Sequence, residues 1–128
     1  MTRKRGKNPE LEVFSGREAK LNRVIFLVLN TKDLLTSYDM YLELKQIKDF
    51  RHIKWQSVDR RMKALCAQSW IIKCGVRPAK AHFLSPFYTL SIRAKVAFAL
   101  NKTDLNIFIQ VAKESDLEIV LGVLSMYL

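Results

Sequence analysis

The sequence predicts a mainly α domain with a small β-hairpin, an α+β class, followed by additional C-terminal helices. Three observations carry that expectation. The stretch Lys54 to Ile72, KWQSVDRRMKALCAQSWII, puts Val58, Met62 and Leu65 on one side at helical spacing, then passes into the β-favouring run Trp70-Ile71-Ile72. Gly75 and Pro78 mark a turn before a second apolar segment that ends at Leu90. Beyond Leu90, polar residues at Ser91, Thr103, Asp104 and Ser115 divide a very apolar tail into helix-length pieces. At 128 residues, 49% of them hydrophobic, the chain suits one domain with a real core, and disorder throughout is excluded.

In chain order, residues 1–14, MTRKRGKNPELEVF, form a basic mobile arm with Gly6 and Pro9. Ser15-Gly16-Arg17-Glu18 has the spacing of a capping box. It opens a first helix to about Leu29, with Ala19, Val24, Ile25 and Val28 as the buried stripe and Asn30 as the stop. Thr31 to Leu35 is a connector. Thr36-Ser37-Tyr38-Asp39 offers a second helix start, with Asp39 favoured by the helix dipole. That helix runs to about Lys48 on an inner face of Met40, Leu44 and Ile47, and Asp49 to Ile53 turns into the third. The third helix stops near Ser69, and Trp55 packs at its start. A strand covers Trp70 to Gly75, the turn Gly75 to Lys80, and the return Ala81 to Leu90. Pro86, lacking an N–H, must sit at an edge or a bulge. Ser91 caps a fourth helix from Ile92 to about Leu100. A fifth starts at Thr103 or Asp104 and runs through Lys113, and a capping box at Ser115-Asp116-Leu117-Glu118 opens the last.

The formal charge of +10 points to an anionic partner, and its location is informative. Residues 45–80 hold ten basic and two acidic side chains, whereas residues 81–128 hold four of each. The excess therefore sits on the segment from the second helix through the hairpin turn. On the third helix, the side opposite Val58 and Met62 carries Gln56, Ser57, Arg60 and Lys63, with Arg61 nearby. Amides, hydroxyls and guanidinium groups can read base edges, and cations hold phosphates.

The order of residues here resembles the winged helix-turn-helix regulators, of the MarR and PadR type. The resemblance rests on Ser57-Val58, Arg60-Arg61, Leu65 and Trp70-Ile71-Ile72, and again on Tyr88-Thr89-Leu90-Ser91 leading into a helix with Ala94. It covers roughly residues 21–100. Trp70 stands where the family often has Gly, Lys54 where a Ser or Thr cap is common, and Ala94 where Gly is usual. The resemblance implies a winged domain over 15–101 and a helical dimerisation extension over 102–128. It also implies sequence-specific binding of double-stranded DNA in transcription regulation. Gln56, Ser57 and Arg60 are then the candidate base contacts, and Lys54, Arg61, Lys63, Lys73, Arg77 and Lys80 the candidate backbone contacts. The N-terminal arm is either a further DNA contact or a solvated tail.

The apolar tail includes Phe108, Leu117, Val120, Leu121 and Leu124, which are the candidate homodimer contacts; an intrachain core is the alternative. A two-fold dimer would match a palindromic site. Other readings of the same fold are a protein-interaction module of a transcription, replication or chromosome-organising complex, and a non-specific architectural DNA binder.

Catalytic signatures are missing from the sequence: no HExxH, GxSxG, Gly-rich phosphate loop or Cys-His nucleophile pattern occurs, so no enzyme and no cofactor are expected. Cys66 and Cys74 read as reduced thiols, with a disulfide between them left open. With His82 they lack a fourth zinc ligand, so no metal site is expected. His52 and His82 are isolated. Arg3, Lys4, Arg5 and Lys7 are not followed by an apolar segment, and Ile119 to Leu128 is too short to span a bilayer. A cytoplasmic, DNA-associated protein without a membrane partner is expected; operator and effector stay open.

Overall fold

A computed structural model describes residues 11–78 and 83–128 of the chain. The described residues are mainly helical with a small three-stranded antiparallel sheet. The elements run α1 (Ala19–Thr31), β1 (Leu35–Thr36), α2 (Ser37–Lys45), α3 (Trp55–Ala67), β2 (Ile71–Pro78), β3 (Leu84–Leu90), α4 (Ile92–Lys102), α5 (Leu105–Val111) and α6 (Glu114–Ser125). Short 3-10 turns lie at Glu12–Phe14 and Lys48–Phe50. The chain divides into two compact units, Met1–Lys95 and Val96–Leu128. No helix is long and apolar enough to cross a membrane among the described residues.

The core of the first unit is built by one face each of α1, α2 and α3 with the sheet. Ile25, Phe26, Met40, Leu44, Val58 and Met62 are fully buried, and Leu29, Leu65, Ile71, Tyr88 and Leu90 nearly so. The α1 stripe differs from the expected one. Phe26, Leu29 and Asn22 are buried, while Val24 and Val28 are only half-buried. The difference has a cause in the preceding turn. Val13 and Phe14 enter the core, and Phe14 meets Phe26 edge-on with centroids 5.6 Å apart. Asn22 Nδ2 donates to the Val13 carbonyl at 2.9 Å, and Arg23 Nη2 donates to the Phe14 carbonyl at 2.8 Å. The arm expected over residues 1–14 thus loses its end to the core; residues 1–10 lie outside the described residues. The Ser15 capping box does not form either. Ser15 Oγ donates to the Glu12 carbonyl instead, and Gly16 turns the chain at φ 80°.

The start of α2 behaves as its sequence predicts. Thr36 Oγ1 accepts from the Asp39 amide at 3.1 Å, and the Thr36 amide donates to Asp39 Oδ2 at 3.0 Å. Each group satisfies one orphan donor at the helix N-terminus. Thr36 is at the same time the last residue of β1, which straddles the end of the expected connector and the expected helix start.

The sheet order is β1-β3-β2, with β3 in the centre. The register aligns Ile71 with Leu90, Lys73 with Tyr88, Gly75 with Phe87 and Arg77 with Ser85, with an irregularity between Lys73 and Gly75. β1 pairs only with Phe87 and Tyr88 of β3, so Pro86 lies past its end. There β3 has one partner strand, and a residue without an N–H is tolerated. A Cβ on Gly75 would come within 3.1 Å of the Phe87 ring, so glycine serves the close approach of the two strands. β2 continues to Pro78, three residues beyond the expected strand end, which places Arg77 in the ladder rather than in the turn.

In the second unit, Asp104 caps α5 by accepting from the amides of Asn106 and Ile107. α6 starts at Glu114 after Lys113, without a side-chain cap, so the box expected at Ser115 is already inside the first turn. Neither α5 nor α6 contains a buried residue.

Candidate nucleic-acid interface

α3 is held in place by its inner face. Val58, Met62 and Leu65 are buried, and Arg61 and Ala64 flank them half-buried. The helix begins with Lys54, whose carbonyl accepts from the amides of Ser57 and Val58 at 3.0 and 3.2 Å; no side chain caps it. Its end is a Schellman closure. The Trp70 amide donates to the Leu65 carbonyl at 2.9 Å and the Ser69 amide to the Cys66 carbonyl at 3.0 Å. Ser69 takes φ 66° at the position usually given to glycine. The closure sends the chain straight into β2, and the Trp70 ring packs against Phe26 at 6.1 Å.

The outer face of α3 exposes Gln56, Arg60 and Lys63, three residues one helical face apart. Lys54 is exposed at the helix start, and Ser57 is half-buried on the flank. Lys63 Nζ lies 2.9 Å from Asp59 Oδ2, one turn earlier on the helix. Arg61 points away from this set: its side chain is 19% exposed and sits 4.0 Å from Glu18 Oε1.

Arg77 is committed elsewhere. Its Nη2 lies 2.6 Å from Asp39 Oδ2 and donates to the Leu34 carbonyl at 2.8 Å, while its guanidinium covers the Phe87 ring. These bonds tie the far end of β2 to the start of α2. Burial alone would raise the Asp39 pKa, but hydrogen bonds from Thr36 and Arg77 and the guanidinium charge hold it below the ordinary 3.8. The Tyr88 phenol is pushed up by its burial, then by the nearness of Cys66 and Asp59.

Lys73 is exposed on β2 and lines a separate open hollow with Cys66, Ser91 and Arg93. Arg93 is an exposed cation outside the set expected from the sequence; its signal is its place two residues after the Ser91 cap. Lys80 and His82 lie outside the described residues. Cys66 and Cys74 are free thiols, Cys74 exposed beside the strand irregularity.

Between α2, α3 and the start of β3 lies a groove of about 630 Å³. Tyr38, Tyr41, Trp55, Gln56, Asp59, Lys63 and Phe83 to Pro86 line it. The structure therefore brings Gln56 and Lys63 together with the hairpin, whereas Arg60 stands outside the groove. Trp55, expected to pack at the start of α3, is 41% exposed and lines this groove. Its neighbours Tyr38 and Tyr41 come from α2, at i, i+3 spacing that stacks them on one face of that helix. No family model, curated protein or solved structure matches this chain.

Proposed function

We propose that the first unit is a winged helix-turn-helix domain of the MarR/PadR type that binds double-stranded DNA as a transcription regulator, and that the second unit dimerises it. The observation that carries the reading is the element order α1-β1-α2-α3-β2-β3 with a β1-β3-β2 sheet, in which α3 buries one face and offers an amide and two cations on the other. That is the arrangement a groove-reading helix needs: a rigid back and a polar front. Gln56 and Arg60 are the base contacts, with Ser57 at the edge of the face. Lys54 and Lys63 hold phosphates. Arg61 and Arg77 drop out of the backbone set, because Arg61 is largely covered and Arg77 is spent on Asp39 and Leu34. Lys73 stands with Arg93 in the other hollow, as a peripheral contact.

The test is selection of genomic fragments by the purified protein, followed by Arg60→Ala on the selected site. The substitution is expected to cost about 1–3 kcal/mol and to relax preference at one base pair. Equal loss on every duplex would reduce Arg60 to a phosphate contact and favour a non-specific architectural binder. Failure to bind any duplex would favour a protein-interaction module, a role to which the exposed apolar side chains of α5 and α6 also lend themselves.

A further inference from the structure

We propose that the groove between α2, α3 and β3 binds a lipophilic organic cation, a quaternary ammonium or phosphonium group seated among Tyr38, Tyr41, Trp55 and Phe83 with Asp59 as its counter-charge. The volume, about 630 Å³, falls in the range of small-molecule sites. Four of the lining side chains are aromatic, and aromatic faces attract cations through their quadrupole. The Tyr41 ring already draws the Lys45 ammonium to 5.4 Å of its centroid.

Among the described residues Asp59 is the one carboxylate lining the groove, and it opposes an anionic ligand. Its present partner is Lys63, but the two differ in depth. The Asp59 side chain is 21% exposed and that of Lys63 68%. The lysine is thus the outer, flexible member of an ion pair of the weak surface kind. It can swing into water and leave the more sheltered carboxylate to a ligand. A quaternary cation is less strongly hydrated than an ammonium, so it loses less on entering an aromatic-lined space, which is why such groups are held in aromatic cages.

Binding of the cation stands independently of the DNA reading. Only its consequence rests on that reading: a ligand in the groove would lie against Gln56 and Lys63 and compete with duplex.

The experiment titrates the full-length protein with tetraphenylphosphonium, following Trp55 fluorescence and, in parallel, heat of binding. Saturable binding is expected, with the fluorescence change abolished in Trp55→Phe, where Trp70 remains as the internal control. Asp59→Asn should weaken binding about tenfold, and the neutral analogue triphenylphosphine oxide should bind about tenfold less tightly than the cation. Lys63→Met should tighten binding several-fold by freeing the carboxylate. Thermal melts of all three variants verify that they are folded. The proposal is overturned by an absence of saturation, by equal binding of the neutral analogue, or by Asp59→Asn binding as the wild type does. It is equally overturned if Lys63→Met binds no more tightly. Protein that takes the phosphonium but no duplex sinks the DNA reading and leaves this site standing.

Discussion

The Asp39 carboxylate carries the link between the hairpin and the three-helix face. It receives the Thr36 amide and the Arg77 guanidinium at 3.0 and 2.6 Å. Burial works against its charge, but the bonds outweigh burial, and its folded pKa lies below the ordinary 3.8. A group depressed in this way contributes stability above its unfolded pKa and loses it as pH falls through the folded one. Unfolding free energy should therefore decline on acidification below about pH 4, and Asp39→Asn should flatten that part of the profile while lowering stability at neutral pH. Denaturant titrations across the acid range measure this; two parallel profiles would show that Asp39 does not contribute. The Thr36–Asp39 box is legible in the sequence because its two members stand three residues apart and the motif is local. Arg77 was not legible as their partner, since it lies 38 positions on from Asp39 and only the strand register delivers it. In the sequence it was a cation beside a Gly and a Pro, and a turn was the reasonable place for it.

At the scale of elements, the inner face of α3 determines whether any outer face exists. Met62 is fully buried between Val58 and Leu65 on that face. Met62→Ala should cost about 2–5 kcal/mol through lost burial and a cavity, read as a lower denaturant midpoint. Gln56→Ala, on the exposed face, should stay within about 0.5 kcal/mol. A comparable loss at both positions would mean that α3 does not pack as described. The same face was readable from the spacing of three apolar residues, because a helix of 13 residues repeats its pattern often enough to be unambiguous. Short elements gave no such repetition. β1 has two residues and no alternation, so Leu35 reads as connector and Thr36 as a helix start. Capping boxes were reliable only where the flanking chain had nothing better to do. At Ser15 the burial of Val13 and Phe14 drew the hydroxyl back to Glu12, and a helix began later. The groove was missed for a related reason. In the sequence Tyr38 is part of a helix start, and nothing local announces that Tyr41, Trp55 and Phe83 line one groove with it.

For the whole molecule, two surface features have to be reconciled: cations and an amide on α3, and uncovered apolar side chains on α5 and α6. Leu121 and Leu124 are 61% and 52% exposed, and Phe108 and Leu117 are half-buried. Exposed apolar side chains of this kind suit a partner surface, and under the proposed DNA reading that partner is a second copy. Replacing Leu121 and Leu124 together by Glu should halve the mass seen by light scattering and leave the melting of the first unit unchanged. The two features then become one measurement. Each phosphate that a protein ceases to neutralise changes the salt slope of DNA binding by about 0.9, so Lys63→Ala should lower the slope by nearly 2 in a dimer and by about 1 in the double-Glu monomer. Arg77→Gln, by contrast, should lower the melting temperature and leave the slope alone, because its charge is paired with Asp39. A slope change of the same size in both oligomeric states would mean that only one protomer touches the duplex, and the pairing of units would then serve something other than DNA recognition.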